Sequence, residues 1–318
     1  VNNSLTVFSG NANRKLAEAI CEILGVQLGD ALVDRFPEGE VHVQILENVR
    51  GKDVYIVQPV CEPPNDSVME LLILLDAAKR ASARRITAVL PFYGYARQDR
   101  KDRPRVPITA KLLANLLVTA GASRVLTVDL HAGQIQGFFD IPVDHLYSIS
   151  VLCEYFQEKN LKNLTVVTTD VGGIKMARAY SKFLEAPLAV IDKRRESASQ
   201  VKVMNIIGEV KGRNVVIVDD IISTGGSLVE AAQALKEAGA IDIYATVVHP
   251  VLAKDAAKKV MNSIIRELVV TDSIPIPKEK MNGKIIVRTI APLLAEAIKR
   301  IHGNESVSSL FAQADVEA

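Results

Sequence analysis

The run VVIVDDIISTGGS, residues 215–227, carries the densest chemistry in the chain. An apolar stretch ends in two adjacent carboxylates, followed by a hydroxyl- and glycine-rich turn and then a helical pattern. At the carboxyl end of a buried parallel strand, such a turn offers backbone N–H groups and the positive end of a helix dipole, which together hold phosphate. Gly225 and Gly226 let the backbone approach an anion closely, while Thr224 and Ser227 add hydroxyl donors. Asp219 and Asp220 repel phosphate, so they suit sugar hydroxyls or a metal ion shared with the phosphates. A sugar phosphate satisfies both halves of the run. An acidic strand end before a helix cap explains Asp-Asp alone, but not the whole string. No GxxxxGK[ST] occurs, so this is not a Walker loop.

Two further segments follow buried strands. VLPFYGYARQDRKDRPRVPITAK (89–111) packs Arg97, Arg100, Lys101, Arg103 and Arg105 around Asp99 and Asp102. A solvated charged loop is the ordinary reading of such a run. Against it stand Arg97-Gln98, which can grip a nucleotide, and the aromatic approach Phe92-Tyr93-Gly94-Tyr95. VDLHAGQIQGFFDIP (128–142) places Asp129 and His131 at a strand end, where parallel-sheet ligands bind.

The elements that must position these groups alternate nearly throughout. Residues 54–58, 86–90 and 125–128 read as buried strands, with helical spacing over 67–81 and 108–121. The rhythm pauses at 138–150 and restarts with strands at 164–169, 186–192, 214–220 and 241–250 and helices at 172–184 and 226–238. This is the β-α-β-α pattern of a parallel sheet with helices on both faces. With 318 residues, two α/β domains are expected, 1–148 and 149–318.

Composition narrows the class. Lys+Arg 38 against Asp+Glu 37 gives no excess for coating nucleic acid, which argues against a nucleic-acid partner. No apolar run approaches a membrane span, and no basic leader precedes an apolar stretch. Cys21, Cys61 and Cys153 fit neither a disulfide framework nor a zinc site. A cytoplasmic protein with no membrane partner is expected.

The 215–227 run resembles the phosphoribosyl diphosphate motif of type I phosphoribosyltransferases and of ribose-phosphate diphosphokinases. The 89–111 and 128–142 segments resemble signatures of the diphosphokinases alone. FPEGE (36–40) is similar to their adenine-binding loop, TTDVGG (168–173) to a loop normally reading SPDxGG, DKRRES (192–197) to their catalytic flexible loop, and SVSSLF (306–311) to their tail. The chain departs from the usual pattern at Ser223, where the diphosphokinases usually carry Asp.

The resemblance implies a mainly parallel, phosphoribosyltransferase-like fold in both domains. It also implies Mg²⁺-dependent transfer of the β,γ-diphosphoryl group of ATP to ribose 5-phosphate, giving phosphoribosyl diphosphate and AMP. Phe36, Glu38, Gly39, Glu40, Arg97 and Gln98 would bind ATP. Asp219, Asp220, Ser223, Thr224, Gly225, Gly226 and Ser227 would bind ribose 5-phosphate, with Arg195. His131 and Asp170 would organise Mg²⁺, and Lys193 and Arg195 would serve catalysis. A homohexamer is implied, activated by phosphate and inhibited by ADP through Arg50, Ser82, Arg105, Ser306, Ser308 and Phe311. A phosphoribosyltransferase and a non-catalytic subunit of the same family are the competing readings; FPEGE, Arg97-Gln98 and the retained charged positions speak against them.

Overall fold

Strands that are apolar at every position need cover on both faces, and helices between the strands supply it. The structure, a computed structural model, describes residues 4–194, 203–281 and 283–311. The chain forms two compact units, one from Val1–Tyr147, Ser273–Pro275 and Ile290–Phe311, the other from Ser148–Asp272 and Ile276–Thr289.

The first unit begins β1 (Leu5–Ser9), α1 (Arg14–Leu24), β2 (Ala31–Arg35), β3 (Val41–Ile45), β4 (Asp53–Val57) and α2 (Pro64–Arg80). It continues with β5 (Arg85–Leu90), α3 (Thr109–Ala120), β6 (Arg124–Val128) and β7 (Val143–Leu146). β1-β4-β5-β6-β7 form a parallel sheet, and β2 and β3 pair as an antiparallel hairpin with Arg35 opposite Val41. Because side chains alternate along a strand, Val54 and Ile56 face α2 and α3, meeting Leu71, Leu74, Leu75, Leu113 and Leu117.

The second unit runs α4 (Ile149–Lys159), β8 (Leu164–Thr168), α5 (Ile174–Phe183), β9 (Leu188–Arg194), β10 (Val203–Ile207) and β11 (Asn214–Ile222). It ends with α6 (Gly226–Glu237), β12 (Ile243–Pro250), α7 (Ala256–Asn262), β13 (Leu268–Thr271) and β14 (Ile285–Arg288). Among the described residues its sheet order is β10-β9-β8-β11-β12-β13-β14, parallel except at β10. β11 lies in the middle, so its carboxyl end opens onto neighbouring loops from both sides. No helix among the described residues is long and apolar enough to cross a membrane.

The chain then returns to the first unit with α8 (Ala291–Gly303) and α9 (Ser308–Phe311). Leu294, Ile298 and Ile301 pack with Leu16, Ile20 and Leu24 of α1 over Tyr55, Val57 and Leu126. Each such buried side chain contributes about 1.5–3 kcal/mol. A polar clamp fixes the register: Asp53 accepts from Arg85 Nε at 2.8 Å and pairs with His302 Nδ1 at 2.8 Å, and Arg85 Nη1 donates to Asn304 at 2.9 Å. Burial works to raise the Asp53 carboxyl, and the Arg85 and His302 hydrogen bonds outweigh it, holding it below the ordinary carboxylate range.

Two expectations change here. The division at 148/149 gave the whole C-terminal stretch to one domain, whereas residues 290–311 complete the first unit. The pause at 138–150 contains β7, which finishes the first sheet. Asp144 and His145 interrupt its apolar run, yet both are buried: Asp144 meets Arg124 at 2.5 Å, and His145 Nε2 accepts from the Leu130 N–H at 2.9 Å.

Candidate active site

In the second unit the carboxyl end of β11 gathers the sugar-phosphate candidates. Asp219 and Asp220 are half-buried at its end. Asp219 Oδ1 accepts the Asp220 N–H at 2.9 Å, and Oδ2 accepts the Thr169 hydroxyl at 3.3 Å. Burial, with the charges of Asp220 and then Asp170 beside it, pushes the Asp219 carboxyl up to about 7. Crowded carboxylates of this kind favour hydroxyl donors or a cation.

The turn after the carboxylates is braced from behind. Ala253 N–H donates to Ser223 O at 3.0 Å and Lys259 Nζ to Thr224 O at 3.3 Å. Gly225 adopts φ +73°, a left-handed conformation that glycine takes without a Cβ penalty, and α6 starts at Gly226. The first turn of α6 therefore presents N–H groups with no partner inside the helix, the ordinary requirement of an anion site. Ser223, Thr224, Gly226 and Ser227 line the same turn.

Asp170 stands on the adjoining strand end, after β8. Its Oδ1 accepts the Gly173 N–H at 2.9 Å, closing the turn that leads into α5, and its charge reaches Asp219. A Cβ on Gly173 would collide with Thr168 Oγ1, so the turn that aims Asp170 needs glycine there. Lys193 belongs to β9 by its backbone, but its side chain and the whole of Arg195 lie outside the described residues.

In the first unit, Phe36, Glu38, Gly39 and Glu40 form the exposed tip of the β2–β3 hairpin, and Phe36 is 43% exposed. The Phe36 ring lies 4.6 Å from that of His42, and the loop closes with Phe36 N–H to Glu40 O at 2.9 Å. A large aromatic held at an exposed tip is suited to stacking on a flat base. Arg97 is exposed after β5, while the Gln98 side chain accepts the Thr109 hydroxyl at 2.5 Å at the start of α3. The aromatic approach divides: Tyr93 is buried and donates to Ala110 O at 2.8 Å, so it anchors the loop, and Tyr95 pairs with Asn65. His131 is exposed beyond β6, after Asp129, whose φ is +40°. Gln134 Nε2 donates to Asp99 Oδ2 at 3.2 Å, joining this segment to the charged loop.

Among the described residues, the expected effector residues occupy both ends of the first sheet. Arg50 and Ser82 occupy adjoining turns at the amino end of the first sheet, joined by Gly51 N–H to Ser82 O at 2.9 Å. Ser306 and Ser308 follow α8, where Arg300 Nη1 donates to Ser306 O at 3.1 Å and Arg300 also meets Ser309. Arg105 belongs to the loop leaving the carboxyl end of β5. The Phe311 side chain lies outside the described residues.

Sequence reading missed Thr169 and Lys259. Thr169 adjoins Asp170 in the TTDVGG loop and was legible there; Lys259 lies on α7 with no local signal.

The profile of the N-terminal domain of ribose phosphate pyrophosphokinase matches residues 5–121, and that of the phosphoribosyl synthetase-associated domain matches residues 194–312. The chain is 56% identical over 311 residues to a ribose-phosphate pyrophosphokinase of Ralstonia nicotianae, covering 97% of this chain and 98% of the relative. Against the Bacillus subtilis ribose-phosphate pyrophosphokinase it is 53% identical over 309 residues, with 97% and 98% covered. The crystal structure of phosphoribosylpyrophosphate synthetase from Mycobacterium smegmatis matches with a TM-score of 0.90 at 41% identity, covering 95% of this chain and 100% of that one.

Proposed function

The chain belongs to the ribose-phosphate pyrophosphokinase family, and on that footing we propose that it transfers the β,γ-diphosphoryl group of ATP to ribose 5-phosphate. The products are 5-phosphoribosyl 1-diphosphate and AMP. The observation that carries the reading is the 219–227 turn, where a crowded carboxylate pair and a glycine-led helix start share one strand end.

The 5-phosphate rests on the N–H groups and hydroxyls of residues 223–227, and Asp219 and Asp220 take the ribose hydroxyls. That orients the anomeric oxygen for in-line attack on the β-phosphorus. A bond forms between that oxygen and the β-phosphorus, the bond from the β-phosphorus to the α–β bridging oxygen breaks, and the bridging oxygen leaves with AMP. The anomeric hydroxyl gives up its proton to water as that bond forms. Catalysis of this kind is positioning and charge neutralisation. Phe36 stacks on adenine, with Glu38, Gly39, Glu40, Arg97 and Gln98 as its neighbours. Lys193 and Arg195 meet the charge that develops on the transferred group, Lys as a compact cation and Arg as a planar fork.

The donor set fits Mg²⁺. Asp170 offers a hard carboxylate oxygen, the ligand type Mg²⁺ takes alongside nucleotide phosphates. Asp170 and His131 would hold it, and when bound it neutralises phosphate charge. A homohexamer is consistent with effector residues split between opposite ends of one sheet, since a second copy can supply Arg105. Phosphate and ADP are the effectors that hydroxyls and guanidinium groups at such a site would select. The test is ATP labelled at the β-phosphorus: label should move to the sugar with AMP as co-product. ADP as the stoichiometric product means an ordinary kinase and ends the reading.

A further inference from the structure

Glu70 of α2 is a buried carboxylate, 5% exposed, beneath the turn that follows β1. Its Oε2 accepts the Asn11 N–H at 3.0 Å and Gln58 Nε2 at 2.9 Å, and its Oε1 accepts Asn11 Nδ2 at 3.1 Å. Gln58 is fully buried, and its Oε1 takes the Ala12 N–H at 3.1 Å. A Cβ on Gly10 would collide with the Gln58 side chain, so the turn is closed down on this network. A carboxylate so placed occupies a strand-to-helix turn of the type that elsewhere receives an external anion.

The network does not end at the core. Asn11 Nδ2 also donates to Val33 O on β2 at 3.0 Å. Arg35, at the end of β2, pairs with Asp66 at 2.9 Å and lies 3.9 Å from Glu70, and its Nη1 donates to Gly39 O at 3.2 Å. The path therefore runs from α2 through Glu70 and Asn11 to β2, and through Arg35 to the hairpin tip. The tip holds its own shape by Gly39 N–H to Phe36 O at 2.8 Å and by the Phe36–His42 contact. Val33, Val43 and Ile45 seat the hairpin strands on the core, and the Glu70 network adds a polar tie at the tip end of β2.

We infer that Glu70, acting through Asn11 and Arg35, is a positioning residue that aims the 36–40 loop at the nucleotide base. This rests on the reading of that loop as the ATP base site. Glu70→Gln keeps the size but turns an amide N–H toward the Asn11 and Gln58 donors. Asn11→Ala is the milder variant, cutting the link to Val33 while leaving Glu70 paired to Gln58. Both should raise the KM for ATP by about 3–10-fold while kcat and the KM for ribose 5-phosphate stay within about two-fold. In a Phe36→Ala background the Glu70→Gln effect on the ATP KM should vanish, because both changes act through one loop. Lowered thermal stability with an unchanged ATP KM in both variants overturns the inference, as does a full Glu70→Gln effect without Phe36. An ATP KM raised by Phe36→Ala but by neither other variant overturns the positioning role alone. One untouched by Phe36→Ala overturns the base-site reading, and the role with it.

Discussion

Replacing Asp219 by Asn should stabilise the ligand-free protein at pH 8 and leave it no more stable at pH 4. Asp219 is raised from its ordinary 3.8 to about 7 by burial and by its acidic neighbours. Between those values the folded chain keeps a proton that the unfolded chain has lost, so stability falls as pH rises through the window. Above pH 7 the whole penalty is present; below about pH 4 it is absent. A carboxyl taken from 3.8 to about 7 corresponds to at most about 4 kcal/mol. Partial solvent contact and the charge shared with Asp220 reduce that to about 1–2 kcal/mol. Asn keeps an oxygen for the Asp220 N–H and offers an N–H to Thr169, whose hydroxyl can accept it. A Tm gain of roughly 2–8 °C follows. Thermal unfolding of parent and variant at pH 4 and pH 8, without nucleotide or divalent cation, measures it. A variant less stable at pH 8, or equally favoured at both pH values, refutes the reasoning. The same substitution should raise the KM for ribose 5-phosphate, so stability and binding move in opposite directions at one residue.

Gly225→Ala places a Cβ at φ +73° and should cost about 1–2 kcal/mol while raising the ribose 5-phosphate KM; an unchanged Tm with normal kinetics would show that the loop needs no left-handed residue. Asp53→Asn weakens the clamp on α8 and should lose about 1–3 kcal/mol at pH 7 in urea titration. Because the Asp53 carboxyl is depressed, its contribution is present above the ordinary carboxylate value and lost as pH falls through the folded one, so parent and variant should converge in strong acid. Lys193→Ala and Arg195→Ala should each lower kcat by roughly 10²–10³ with little change in ATP binding, measured by steady-state rates beside nucleotide titration.

The 215–227 run was legible in the sequence because its strand, carboxylates, turn and helix start are contiguous, so local spacing alone brings them together. The bounds of α6 were legible for the same reason, apolar periodicity over 226–238 becoming Gly226–Glu237, whereas α2 starts at Pro64, three residues before the expected 67. β7 was hidden because its buried polar residues, Asp144 and His145, are satisfied by Arg124 and the Leu130 N–H, partners 15 to 20 residues away that no local pattern announces. The Glu70 network was illegible on larger grounds, since Asn11 lies 59 positions distant in the chain. The return of α8 to the first unit depends on which surface its apolar stripe finds, and amphipathic spacing records the stripe but not its destination.

That return has a consequence for synthesis. β1 through β7 leave the ribosome first, yet the face of their sheet that carries Tyr55, Val57 and Leu126 stays without Leu294, Ile298 and Ile301 until residues 148–289 have been made. At about 5–20 residues per second that stretch takes on the order of ten seconds. For that interval the nascent first unit displays an apolar sheet face that α1 covers in part. The unit begun first is thus completed last, and its exposed face is where a nascent-chain chaperone has something to hold.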